Sequence, residues 1–208
     1  NAALSVPTAE GALYEVDNRL RPQGAQGPLA VSVESFARYQ REDAWTWEHM
    51  ALTRARVLTG SDKAKAALQR EIAAILGMAR DPAKLRADVL AMRAEMAAHK
   101  APKGPLDAKL LRGGLVDLEF LIHFLQLKER CGFAPGLGEA LNQLAAAGLL
   151  PGSLRGQHDF LIRLLVSSRL LAPDMALPAP AAMAALARAC GCANGGELLQ
   201  RLDTARMA

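Results

Sequence analysis

"GGLVDLEFLIHFLQLKER", residues 113–130, sets the character of this chain. Gly113-Gly114 supplies a turn, and no glycine or proline interrupts Leu115 to Arg130. The run therefore predicts one long helix, broken afterwards by "GFAPGLG". Asp117 and Glu119 fall in its first turns, where carboxylates suit the helix dipole. Glu119, His123, Gln126 and Arg130 make a polar stripe, and Leu118, Ile122 and Leu125 an apolar one. The expectation is a capped amphipathic helix. A Gly-Gly pair before a helix can also meet a phosphate, a weaker reading of the same residues.

Outward from this helix the pattern stays helical. Ser32 or Ser35 caps a helix reaching about Gln40, and "REDAWTWEHMALTRARVLTG" predicts a longer one from Asp43 to a stop at Gly60. That helix is apolar on more than one side, as one buried between neighbours would be. Its Glu48, Arg54 and Arg56 then need partners: a semi-buried ion pair, or a nucleotide cleft faced by Arg54 or Arg56. Further helices are expected over about 62–78, from Asp81-Pro82 to His99, and over 137–147, 151–171, 179–190 and 195–206. Short connections favour an antiparallel bundle.

Composition agrees. Among the 208 residues 51% are hydrophobic, led by Ala and Leu, which is enough for a core and favours helix over sheet. The net charge of +4 comes without a block of like charges, which argues against a nucleic-acid arm. No apolar run reaches membrane-spanning length. Cys131, Cys190 and Cys192 form no disulfide framework and no zinc-ligand spacing, which suits a reducing, cytoplasmic setting. The histidines at 49, 99, 123 and 158 share no ligand spacing.

One stretch departs from helix. In "LYEVDNRLRP", residues 13–22, Ala12, Tyr14, Val16, Asn18 and Leu20 share one, largely apolar face of a strand, and Leu13, Glu15, Asp17, Arg19 and Arg21 the other, mostly charged one. "QGAQGP" then turns the chain and "LAVSV" reads as a returning strand. A two-stranded hairpin is marginal alone, so its sheet is expected upstream. Asp17 can ligate Mg²⁺, with Arg19 and Arg21 near a phosphate, or these charges form an ion-pair ladder on a solvated face.

Three long motifs, "PTAEGALYEVDNRLRPQGAQGPL", "ESFARYQREDAWTWEHMALTRARV" and "DAKLLRGGLVDLEF", resemble the bifunctional glutamine synthetase adenylyltransferase/adenylyl-removing enzymes in order over residues 7–130. Residues 131–208 read only as compatible helices. The second motif resembles the C-terminal, adenylylating half of that family; the half that removes AMP by phosphorolysis is the runner-up. The resemblance implies residues 1–33 as the closing strands of a polymerase-β-type nucleotidyltransferase domain and 34–208 as a helical bundle. It implies AMP transfer from ATP to a tyrosine of glutamine synthetase, with Mg²⁺, under control by glutamine and the PII signal protein. Asp17 matches the family's third metal-binding carboxylate, and Arg19 and Arg21 its "RLRP". No combination of the Gly-Ser and Asp-x-Asp elements that complete such a site appears in this chain, and it is expected upstream. The chain, which opens at Asn1 without a methionine, then reads as an inactive piece of a longer enzyme. The alternative is a helical regulatory module that binds PII or glutamine synthetase without catalysis.

Overall fold

The structure is a computed structural model that describes residues 6–11 and 27–207. These residues form nine helices: α1 Val33–Glu42, α2 Thr46–Leu52, α3 Asp62–Leu76, α4 Pro82–His99, α5 Leu115–Glu129, α6 Leu137–Ala146, α7 Leu154–Leu171, α8 Pro180–Ala189 and α9 Gly195–Met207. Apart from an isolated bridge between Thr8 and Gly11, no strand occurs among the described residues. The first limb of the expected hairpin lies outside them. Its return, expected over Leu29–Val33, does not form. The Ser32 hydroxyl instead accepts the Ser35 amide at 3.1 Å, and Val33 opens α1.

Local chemistry explains several helix boundaries. Ser61 caps α3 through the Ala64 amide at 3.3 Å, and Asp81 caps α4 through the Ala83 amide at 2.9 Å, with Pro82 in the first turn. Arg80 closes the far end of α3, its guanidinium donating to the carbonyls of Ile75 at 3.0 Å, Leu76 at 3.1 Å and Met78 at 2.9 Å.

The second expected helix is much shorter than its sequence suggests. It begins at Thr46, where the Trp45 amide donates to the Glu48 carboxylate at 2.9 Å, and ends at Leu52. Beyond it the amides of Arg54 and Ala55 bond to the carbonyls three residues back, at 3.2 and 3.0 Å, which tightens the chain out of the α-helix. Nor is α2 buried all round. Met50 and Leu52 are in the core, whereas Trp45 is 71% exposed.

Helix α5 is the centre of the molecule. Leu115 packs with α7, α8 and α9 residues such as Leu161, Leu186 and Leu198. Leu118 and Ile122 pack with Leu141 and Leu144 of α6. Phe120, Phe124 and Leu127 pack with Met50, Ile75, Leu85 and Val89 of α2–α4. The expected single apolar stripe is therefore a helix apolar on several sides, as befits one surrounded by neighbours. Its polar residues are held inside as well, and they build one wall of the candidate site.

Candidate functional site: a polar cleft on α1, α2 and α5

A cleft of about 900 Å³ opens between α1, α2, α5 and the loop at Pro135-Gly136. The "TRAR" segment brings Arg54 and Arg56 to it, α5 brings Glu119 and His123, and α1 brings Gln40. Arg54 and Glu119, 65 positions apart, meet across it, with Leu52 and Leu127 packing α2 and α5 in one apolar cluster.

The α5 side is a connected network. Arg54 Nη1 donates to Glu119 Oε1 at 2.5 Å. The His123 ring is 5% exposed, with Nδ1 2.9 Å from both Thr53 Oγ1 and Gln126 Oε1. Thr53 spends its proton on the Met50 carbonyl at 2.7 Å, and Gln126 donates its amide to the Gly132 carbonyl at 2.6 Å. Both atoms facing Nδ1 are therefore acceptors, so Nδ1 carries a proton. Nε2 is left 3.8 Å from Glu119 Oε1. The neighbouring His123 ring is the main influence keeping the Glu119 carboxyl below the usual glutamate range; partial burial opposes, and the Arg54 and Lys109 charges add to it. Glu119 is thus a committed anion, and the stripe Glu119–His123–Gln126 ties the "TR" turn to α5. Arg130 leaves that stripe: it sits in the left-handed region with φ 57° as α5 ends.

On the α2 side, buried Glu48 accepts the Tyr39 hydroxyl at 3.0 and 3.1 Å besides the Trp45 amide. Arg54 accordingly forms the expected ion pair, at an exposed position on the cleft's edge.

The glycine turn before α5 is closed to phosphate. The Leu115 and Val116 amides donate to the Ala108 and Lys109 carbonyls at 2.9 and 3.1 Å, and the Gly113 amide to Asp117 at 2.5 Å. Asp117 also pairs with Arg93. Buried Asp107 accepts the amides of Lys103, Lys109 and Leu110 at 3.0–3.1 Å, so it organises the turn from within.

Asp17, Arg19 and Arg21 lie outside the described residues, and so do their distances to this cleft. Among the described residues no three His, Cys, Asp or Glu side chains converge as a metal site, and no helix is long and apolar enough to cross a membrane. Thr53 and Gln40 escaped the sequence reading. A threonine at a helix end and a glutamine in "RYQRED" carry no periodic signal of a burial that α5 and α2 impose from a distance.

Helices carrying a cleft walled by aromatic and charged side chains define a class with many functions. Comparison with known proteins narrows it. A family model described as glutamate-ammonia ligase adenylyltransferase matches residues 1–71. A bifunctional glutamine synthetase adenylyltransferase/adenylyl-removing enzyme of Agrobacterium fabrum is 50% identical over 154 residues, covering 70% of this chain and 15% of that protein. Its namesake in Brucella suis is 54% identical over 126 residues, 61% of this chain and 13% of that protein. That of Rhodopseudomonas palustris is 39% identical over 182 residues, 81% of this chain and 18% of that protein. The chain belongs to this family, and the similarity runs well past residue 71 into the helices. It spans about 15% of the length of the curated relatives it matches.

Proposed function

We propose that this chain is part of an enzyme that transfers AMP from ATP to a tyrosine of glutamine synthetase. The observation that carries the reading is identity of 50% over 154 residues to a protein named for that activity. In this reading residues up to about Pro22 close a polymerase-β-type nucleotidyltransferase domain, and the helices from Val33 onward form an antiparallel bundle behind it. Asp17 is the third carboxylate of the metal site. With Mg²⁺ bound, the metal would clamp the transferring phosphate; Asp17 would hold it and favour loss of the tyrosine hydroxyl proton. Arg19 and Arg21 would balance phosphate charge. The helices alone would not transfer AMP, the opposite reaction by phosphorolysis would belong to the enzyme's other half, and glutamine and the PII signal protein would set the balance between them.

The test is Asp17→Asn in the complete enzyme. AMP transfer in the presence of Mg²⁺ should be abolished, while the helical circular dichroism and thermal midpoint stay as they were. Normal turnover in that variant would remove Asp17 from the site.

A further inference from the structure

A second groove, of about 590 Å³, lies between the α1–α2 junction and one face of α4. Both of the chain's tryptophans line it, Trp45 at 71% exposed and Trp47 at 36%. Tryptophan is highly buried on average, and a bare indole is the side chain that protein contacts favour most. The backbone beneath Trp45 is fixed. Its amide donates to buried Glu48 at 2.9 Å, and Thr46 Oγ1 donates to Asp88 Oδ2 at 2.6 Å, which ties α2 to α4.

The charge around the indoles is negative. Asp43, Asp88 and Glu95 line the groove, and the single cation lining it among the described residues, Lys84, is already paired with Asp88 at 3.2 Å. The carboxylates of Asp43 and Glu95 meet no cation or donor among the described residues. The whole chain carries +4, so the groove runs against its net charge. It is also elongated. From Lys84 to Glu95 it follows α4 for about 16 Å at the helical rise, the length of about five extended residues.

We infer that this groove docks an extended, arginine-bearing segment of another protein. Its guanidinium groups stack on Trp45 and pair with Asp43 and Glu95. A lysine ammonium pairs with the carboxylates but lacks the flat face that stacks on an indole. An acidic segment is repelled. The inference goes beyond the transferase reading and uses none of Asp17, Arg19 or Arg21.

The test is isothermal calorimetry on the 208-residue chain. The probes are the capped peptide Arg-Ala-Arg-Ala-Arg, its lysine and glutamate counterparts, and N-acetylarginine amide. In an extended peptide alternate side chains face one way, so all three arginines reach the groove together. The arginine peptide should bind saturably at low salt, about fivefold tighter than the lysine peptide and about tenfold tighter than the single arginine derivative. The glutamate peptide should not bind. Trp45→Leu and Glu95→Gln should each weaken the arginine peptide about fivefold. Lys84→Ala removes the competing cation and should tighten it about threefold, a gain that misfolding does not mimic. Asp203→Asn, on α9, should leave binding unchanged. Circular dichroism identifies any variant that fails to fold, and the comparison of probes on the unaltered chain needs no variant. No saturable heat, equal binding of the arginine peptide and either counterpart, or equal binding of peptide and single arginine derivative would overturn the proposal. So would a dimer of the chain in sedimentation that Trp45→Leu dissolves, since it gives the groove to a second copy.

Discussion

Gln40 carries a buried side-chain oxygen that meets no hydrogen-bond donor among the described residues. With Oε1 buried and unpaired, replacement by the similarly shaped methionine should stabilise the folded chain by about 1–3 kcal/mol in urea unfolding, the penalty of an unsatisfied buried polar group. No gain would mean that the amide oxygen finds a donor. Gly113 is the opposite case. Its φ is +74°, and a Cβ there would stand 1.9 Å from the Arg206 carbonyl oxygen of α9. Gly113→Ala should lower stability by at least about 2 kcal/mol, from left-handed backbone strain and that clash together. His49 sets a pH dependence. Its Nε2 donates to the Gln40 carbonyl at 2.8 Å, and its Nδ1 accepts from Arg80 at 3.3 Å. Burial, aided by the Arg80 charge, pushes its pKa below 6.5, while the Gln40 carbonyl and Glu48 pull the other way. The unfolded chain therefore takes up a proton first. Stability is whole above 6.5 and declines as pH falls below it toward the folded-state value. Glu119, also lowered, adds a second loss below 4.5 by the same sign. Thermal midpoints should drop across the first window, and His49→Gln should flatten that drop; a flat profile in the parent chain would contradict the assignment.

At the scale of elements, α5 carries the packing. Ile122 and Leu127 are both fully buried, in different clusters, so either change to Ala should cost about 2–5 kcal/mol in denaturant unfolding. Leu121→Ala, at a position 41% exposed, should cost far less. Where the polypeptide itself holds the boundary, the sequence was readable: Ser61 and Asp81-Pro82 open α3 and α4 at the expected residues, and α5 begins directly after Gly114. The end of α2 was not. Nothing in "MALTRARVLTG" forbids helix up to Gly60, but Thr53 bonds to His123 and Arg54 to Glu119, both some 65–70 residues later. Tertiary partners overrode local preference. The "LAVSV" stretch was misread for a related reason. Its β-branched residues favour strand, yet the serine they enclose caps a helix. In the site, the i, i+4 spacing of Glu119 and His123 was legible as a stripe, whereas the burial of Gln40 depends on where α1 meets its neighbours.

The described residues form three apolar clusters sharing α5, so they should unfold together. Calorimetry on this chain should show a single thermal transition, and two resolved transitions would mean that α5 does not couple α2–α4 to α7–α9. In the proposed reading the helices are the platform and Asp17 belongs to the transfer site. The most direct measurement follows glutamine synthetase by intact-protein mass, using the complete enzyme with Asp17 either intact or changed to Asn. AMP addition is assayed with ATP and Mg²⁺, and AMP removal with phosphate. If this chain belongs to the adenylylating half, the variant loses addition and keeps removal. Loss of removal with addition intact would place the chain in the other half and contradict the account.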